Sequence, residues 1–358
     1  MTLAMTLEEI RRKIDEIDFE LFKLVEERME WALRTRRLKS ASADPRREAM
    51  VLEKAAGAGR PLLRPEFNRE IIERVVSESR ALQEKGLSLI GFQGEHGAFS
   101  EEAVRFRFPG QVALPHPEFE DVFKGVEDGS LDYGVVPVEN TLGGTVTRIN
   151  ELLLQTPLHV VGEIRVRISH CLLALPGTDP KEIKAVYSHP QALAQCQGFL
   201  RRNRLEARPF YDTAGAARML FEERPPAAAA VAGEMCARLY RLEVIKSGLE
   251  DRDTNETRFF VLSREPRTGE GNKCSLAFDF ETADKAGSLF SVLRVFAEAG
   301  LNLTRIESFP RPADPSGCAF FLDFHGTLGD PAVAGALDRL KTVARFVKIF
   351  GCYDEARR

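Results

Sequence analysis

The chain has 358 residues, 44% of them hydrophobic, with 50 basic against 54 acidic side chains and a formal net charge of -4. That length can bury more than one core and points to two or three domains. The balanced charge excludes a bulk field for nucleic acid or anionic lipid, which leaves a small-molecule partner as the expected class. At the N-terminus Glu8, Glu9, Arg11, Arg12 and Lys13 precede any apolar run, so no secretory signal is expected. From Leu7 the apolar positions Ile10, Ile14, Ile17, Leu21 and Leu24 step by three and four, the period of a helical seam. Nothing breaks helix before Ser40, so the pattern predicts one helix of about 33 residues and about 50 Å. Such a helix is too long to pack only against its own short followers. Arg28 takes the next seam position, before Trp31, Thr35 and Leu38, and puts a cation where an apolar residue belongs. Asp44-Pro45 starts a second helix, and Pro65 starts a third that runs to Gln83 before Gly86 ends it. Residues 1–86 are expected to be all-α.

At Leu87 the pattern changes to short apolar runs (LSLIGF, YGVVPVE, LHVVGEI, HCLLAL, KAVYS, RFFVLS) alternating with helical stretches such as 191–204. The alternation predicts an α/β domain over 88–263 with a substantially parallel sheet and ligand loops at strand ends. Residues 264–273 form a polar linker containing Gly and Pro. From Cys274 to residue 353 the order is strand, helix 285–299, two strands, helix 331–340 and strand, the ferredoxin-like α+β plan. No stretch approaches the roughly 18 apolar residues of a membrane span. The six cysteines (171, 196, 236, 274, 318, 352) lie far apart without metal-site spacing, and read as buried thiols in a reducing cytoplasm. No GxGxxG or GxxxxGK[ST] element occurs, so neither a nucleotide cofactor nor a metal is expected.

Arg11 in IRRKI, Arg28 in EERMEWA, Lys39, DPRRE at 44–48, and Ser79 with Gln83 occur in an order and spacing through which residues 1–86 resemble the all-helical chorismate mutases. The resemblance implies a pericyclic rearrangement of chorismate to prephenate. That reaction calls for no nucleophile, only for holding a compact dianionic conformer and stabilising the breaking ether oxygen. It assigns Arg11, Arg28 and Arg47 to the substrate carboxylates, Lys39 and Gln83 to the ether oxygen, and Asp44 and Glu48 to the hydroxyl; Ser79 shares Gln83's helix face. Arg11 and Arg28 are 17 residues apart, roughly 25 Å along a straight helix and about 100° in azimuth. A substrate this small cannot bridge them, so the arrangement requires an interlocked homodimer in which Arg11 serves the other subunit's site. Taken singly, Arg11 is an ordinary solvated side chain and Asp44 an ordinary helix cap.

GEHGAFSE (94–101), GVVPVENTLGG (134–144), YSHPQALAQC (187–196), DTAGAA (212–217) and NETRFF (255–260) give residues 88–263 their resemblance to the prephenate dehydratases. This implies a two-lobed α/β fold like the solute-binding proteins, with substrate between the lobes. Prephenate loses carbon dioxide and its ring hydroxyl and becomes aromatic, so the protein must supply a donor near the hydroxyl and cationic or amide groups near the carboxylates. The resemblance gives Thr257 the leaving-group role, lines the cleft with Glu139, Asn140, Ser188, Gln195 and Asp212, and makes Arg258 available for an anion. An alcohol is a poor acid, so a buried carboxyl at Glu139 or Asp212 is the better proton source, and which of them acts stays open. The local alternatives are a plain turn at Asn140–Gly144, an ordinary strand residue at Thr257 and a structural His189.

DKAGSL (284–289) and LNLTRIESFP (301–310) make residues 274–353 resemble the ACT amino-acid-binding domains attached to these dehydratases. The implied effector is phenylalanine, bound by Gly287, Ser288, Leu289, Asn302, Glu307 and Ser308. Backbone N–H groups at a helix start suit its carboxylate and Glu307 its ammonium. Two positions depart from the pattern: Phe309 stands where arginine is usual and Ser288 where alanine is usual. The rival readings are arogenate as substrate, a two-lobed binder without chemistry, a helical module that binds chorismate without turnover, and a C-terminal module that only dimerises.

Overall fold

Thr6 opens the first helix, α1 (Leu7–Arg36), with a reciprocal capping box: its side chain accepts from the Glu9 N–H while the Glu9 carboxylate takes the Thr6 N–H. The computed structural model describes residues 5–38, 44–59, 61–280, 286–311 and 314–356, and among them two compact units, Met1–Ser88 and Leu89–Arg358. In the first unit Asp44 caps α2 (Pro45–Ala56) by accepting from the Arg47 N–H, and Pro65 opens α3 (Pro65–Glu84). Both starts lie where the prolines put them. Leu33 is the only α1 side chain fully buried. Ile10, Ile14, Ile17, Leu21 and Leu24 are 45–59% exposed, so the apolar seam outruns what this chain folds against it.

The second unit contains three sheets. β1 (Leu89–Gln93), α4 (Phe99–Arg107), β2 (Val112–His116), α5 (Phe119–Asp128), β3 (Tyr133–Asn140), β4 (Gly144–Thr145), α6 (Thr147–Gln155) and β5 (His159–Arg167) build a first lobe. The chain crosses to a second lobe of β6 (Cys171–Ala174), β7 (Ala185–Ser188), α7 (Pro190–Gln195), α8 (Gln197–Arg202), β8 (Glu206–Pro209), α9 (Thr213–Glu223), β9 (Ala228–Ala232), α10 (Glu234–Leu239) and β10 (Glu243–Ser247). It returns as β11 (Glu256–Ser263), which inserts between β3 and β5. Two crossings between sheets make the cleft.

The sheets are mixed rather than substantially parallel. β1 pairs in parallel with β2 and β3, and β7 with β8 and β9, but β11 runs antiparallel to both neighbours, as does β6 to β9 and β10. The reason is topological: β11 re-enters the first lobe from the far side, so it meets that sheet head to tail. Separate cores centre on Phe92, Val135 and Phe259 in the first lobe and on Val186, Phe199 and Val231 in the second.

The C-terminal sheet is β12 (Lys273–Asp279), β13 (Leu303–Arg311), β14 (Asp314–His325) and β15 (Phe346–Tyr353), in the order β13-β14-β12-β15, with α11 (Ser288–Glu298) and α12 (Pro331–Val343) between strands. This is the ferredoxin-like plan read from the sequence. Leu276, Phe278, Phe296, Leu322 and Leu340 pack its helical face. Its other face lies on the first lobe, where Lys348 donates to the Leu153 carbonyl at 2.9 Å. A Cβ on Gly351 would stand 2.2 Å from the Val160 carbonyl oxygen, so glycine permits this close approach of β15 to β5. The expectation of six separate thiols fails for one pair. β12 and β15 set Cys274 opposite Cys352, Cα atoms 4.1 Å apart, and the two form a disulfide across 78 residues of chain. Cys171, Cys196 and Cys236 are buried free thiols and Cys318 is a free, half-buried one.

Candidate active sites

In the helical unit the C-terminal half of α1 faces α3. Arg28 Nη1 donates to Ser79 Oγ at 2.7 Å, and Ser79 in turn donates to the Val75 carbonyl at 2.7 Å. No carboxylate pairs with Arg28 among the described residues, and burial works against its charge. A half-buried cation in that state suits an anionic ligand. Gln83 is buried and donates from Nε2 to the Ala32 carbonyl and, at 3.4 Å, to Thr35 Oγ1, so both donors of its amide are engaged within the unit. Glu48 pairs with Arg80, an arginine that no motif of the sequence marks. Asp44 acts as a cap, Arg47 is exposed beside it, and Arg11 is exposed near the far end of α1. Arg28, Ser79 and Gln83 therefore converge while Arg11 stands apart, as the helix geometry requires. Lys39 lies outside the described residues.

In the first-lobe sheet of the second unit, β3 and β11 set Asn140 opposite Thr257 and Glu139 opposite Arg258. Asn140 Nδ2 donates to Thr257 Oγ1 and to Asn255 Oδ1, both at 2.9 Å, and Asn255 Nδ2 reaches Gln195 Oε1 of the second lobe at 2.9 Å. Thr257 is 9% exposed. Glu95, from the loop after β1, takes hydrogen bonds from Tyr211 Oη (2.8 Å) and Arg218 Nη1 (2.7 Å), and Tyr240 Oη donates to the His96 carbonyl at 2.7 Å. These contacts close one lobe on the other. Asp212 caps α9 through the Gly215 N–H at 2.7 Å. Burial, reinforced by Glu95, raises its carboxyl above the ordinary value although the Gly215 and Ala214 N–H groups pull the other way.

Three expected cleft residues stand elsewhere. Ser188 is fully buried and spends its proton on the Val231 carbonyl at 2.6 Å, because β7 turns that side chain into the second lobe. Glu139 sits on the Arg258 side of the strand pair, 3.8 Å from Nη1 of that residue, so it is turned away from Thr257. Arg258 is not available for a substrate anion. The residue is 3% exposed, and its guanidinium is held by Asp323 Oδ2 (2.6 Å), Glu163 Oε2 (2.7 Å) and Tyr353 Oη (3.0 Å). Burial opposes the charge, but Asp323, Tyr353 and Glu163 outweigh it and raise the Arg258 pKa. Beside it a cavity of about 1090 Å³ opens between the first lobe and the C-terminal sheet. Its polar groups answer one another: Arg165 pairs with Glu256, Lys273 with Glu355, and His325 Nε2 lies 3.0 Å from the same Glu355 carboxylate.

In the C-terminal sheet Gly287 precedes α11 at φ 88°, a conformation that favours glycine, with Ser288 and Leu289 as the first helical residues. Asn302 is exposed at the start of β13, and Ser308 is exposed on that edge strand. Glu307 is paired with Arg305 at 2.6 Å and projects with it to the lobe-facing side of the sheet, not toward α11, so it does not complete a site with Gly287 within one chain. Phe309 is buried edge-on against Phe321, which explains why an apolar ring is tolerated there. Asp284 and Lys285 of the DKAGSL stretch lie outside the described residues. No helix among those described is long and apolar enough to cross a membrane. Asn255, His170, Glu95 and Arg218 were not singled out as site residues in the sequence. Asn255 lies in NETRFF and Glu95 in GEHGAFSE, so for these two the motif itself carries the signal.

Against known proteins, the prephenate dehydratase profile matches residues 90–267 and the chorismate mutase type II profile residues 10–84. The bifunctional chorismate mutase/prephenate dehydratase of Neisseria gonorrhoeae is 34% identical over 365 residues, covering 99% of both chains. Arogenate dehydratase/prephenate dehydratase 2 of Arabidopsis thaliana is 38% identical, over 82% of this chain and 78% of its own. Among solved structures, the prephenate dehydratase of Arthrobacter aurescens in complex with L-Phe superposes with a TM-score of 0.69 at 28% identity, covering 75% of this chain and 90% of that one.

Proposed function

We propose an assignment of residues to reactions that proceeds from one premise: the chain belongs to the bifunctional chorismate mutase/prephenate dehydratase family. It converts chorismate to prephenate in its helical unit and prephenate to phenylpyruvate in its second unit, two steps toward phenylalanine. In the first reaction Arg28, the unpaired half-buried cation, holds a substrate carboxylate, with Ser79 fixing its guanidinium. Arg47 and the partner subunit's first helix complete the cationic wall, and Lys39 addresses the ether oxygen together with Gln83, whose longer bond to Thr35 Oγ1 gives way to the substrate. The exposed seam of α1 is the face on which a second copy interlocks.

This arrangement has a sharp test. Arg11→Ala and Arg28→Ala homodimers should each lose most mutase activity. Mixed and reassociated one to one, they should recover about a quarter of the wild-type rate, since half the dimers are mixed and each of those rebuilds one of two sites. A monomeric, fully active fragment of residues 1–88 would sink the shared site.

In the dehydration the carrying observation is the direction of one hydrogen bond. Thr257 Oγ1 accepts from Asn140 Nδ2, which leaves its own proton to be donated to the departing ring hydroxyl. Asp212, with its raised carboxyl, is the proton source that fits better than Glu139. Loss of carbon dioxide then delivers the electron pair that aromatises the ring. Separate assays with chorismate, prephenate and arogenate should show turnover of the first two, with arogenate the poorer dehydratase substrate. An arogenate preference would reverse the substrate reading.

Phenylalanine is the proposed effector, at the α11 start around Gly287, Ser288 and Leu289 with Asn302 and Ser308. The L-Phe complex of the Arthrobacter relative supports it. Because Glu307 is taken by Arg305 within one chain, the ammonium partner is expected from a second C-terminal sheet. Calorimetric titration with phenylalanine should give heat and lowered dehydratase activity, whereas silence in both would leave a dimerising module.

A further inference from the structure

Two backbone N–H groups set the polarity of a hydrogen-bond chain that runs from the Thr257 hydroxyl across the cleft to a histidine. Asn140 Oδ1 accepts from the N–H of Leu142 (3.0 Å) and of Gly143 (2.7 Å). A backbone nitrogen can only donate, so the Asn140 amide has one orientation, with Nδ2 toward Thr257 Oγ1 and Asn255 Oδ1. Asn255 is oriented in turn: its oxygen receives Asn140, so its nitrogen faces Gln195. Gln195 then presents Oε1 to Nε2 of His170, 2.9 Å away, and an acceptor there requires the ring proton on Nε2.

His170 opens the second lobe at β6 and is 2% exposed. Its Nδ1 has no hydrogen-bond partner among the described residues, so a second proton would create a buried cation with an unsatisfied donor. Burial accordingly lowers its pKa, against the opposing pull of Gln195. The ring is a neutral, single-tautomer donor.

We propose that His170 is a positioning residue for dehydration, whose Nε2–H secures the Gln195 and Asn255 amides in the orientation matched to the backbone-fixed Asn140, the one that keeps Asn140 Nδ2 on Thr257 and leaves the Thr257 proton free for substrate. Without that donor Gln195 and Asn255 can turn over together. Asn255 then offers nitrogen to the Asn140 nitrogen and drives it from Thr257. The inference rests on the reading of Thr257 as donor, and its test separates the two.

In the full chain, His170→Gln carries an amide nitrogen as many bonds from Cα as Nε2, whereas His170→Asn carries one at the Nδ1 distance. His170→Asn should lower the dehydratase kcat about tenfold with KM within about twofold, and His170→Gln should restore it to within about threefold. In a Thr257→Ala background, His170→Asn should add little, because both act through one proton. Equal losses in the two His170 variants, a loss confined to KM, or a full further tenfold in the Thr257→Ala background would each overturn the role of His170. A Thr257→Ala variant of near-normal rate would instead overturn the donor reading beneath it.

Discussion

Replacing Thr257 by alanine lowers the dehydratase rate on the order of 100-fold, the scale for losing one preorganised transition-state donor, while the mutase reaction on the same chain is unchanged. The effect falls on kcat, because the leaving oxygen gains negative charge only as its bond to the ring breaks. The side chain is small and lies at the edge of the cleft, so its loss opens little cavity. It also frees one proton of Asn140 Nδ2, which still has Asn255 Oδ1 as acceptor. Thr257→Ser keeps the hydroxyl and should retain much of the rate. Single-turnover measurement of phenylpyruvate formation checks both, and near-normal formation by Thr257→Ala refutes the assignment.

Replacing Asp323 by alanine destabilises the second unit by about 3–5 kcal/mol, the range for stranding a buried charge. Two cations, Arg258 and Lys273, and two anions, Glu163 and Asp323, are buried together between the first lobe and the C-terminal sheet. Without Asp323 the cluster carries an excess positive charge, and Arg258 and Ser275 each lose a bond of 2.6 Å. Asp323→Asn keeps the shape and should cost less. Denaturant unfolding of the two variants measures this, and a shift under about 1 kcal/mol for alanine would mean that water reaches the cluster. Acid acts in the same direction. Burial tends to raise the Asp323 carboxyl, but Arg258, Arg305 and Ser275 prevail and lower it. A carboxylate with a folded pKa below its unfolded value contributes fully above the unfolded value, near 4, and loses that contribution as pH falls below it toward the folded value.

Local signals in the sequence carried the element starts: Asp44-Pro45, Pro65 and Asp330-Pro331 each open a helix, the two aspartates as caps and the prolines as first helical residues. The strand and helix order at the C-terminus was also enough for its sheet plan. What lay hidden depends on contacts remote in sequence. Asn140 meets Asn255 and Thr257 at separations of 115 and 117 residues, and Glu95 meets Arg218 at 123. Arg258 illustrates the limit. Its residue type announced an anion, but only the fold shows that the anion is Asp323, supplied by another module of the same chain. Arg28 was legible for the opposite reason, since a cation in an apolar seam is anomalous before any partner is known.

The polar linker at 264–273 is a covalent boundary without being an energetic one. Cutting there would put water on Glu163 and Arg258 and strip Phe260 of its edge-on partner Tyr353. The two ends of this polypeptide therefore differ in what they permit. The helical catalyst is a compact unit of its own that ends at Ser88, whereas the dehydratase has the C-terminal sheet as one of its own walls. A lineage that shed the C-terminal sheet would have to rebuild that wall rather than delete it.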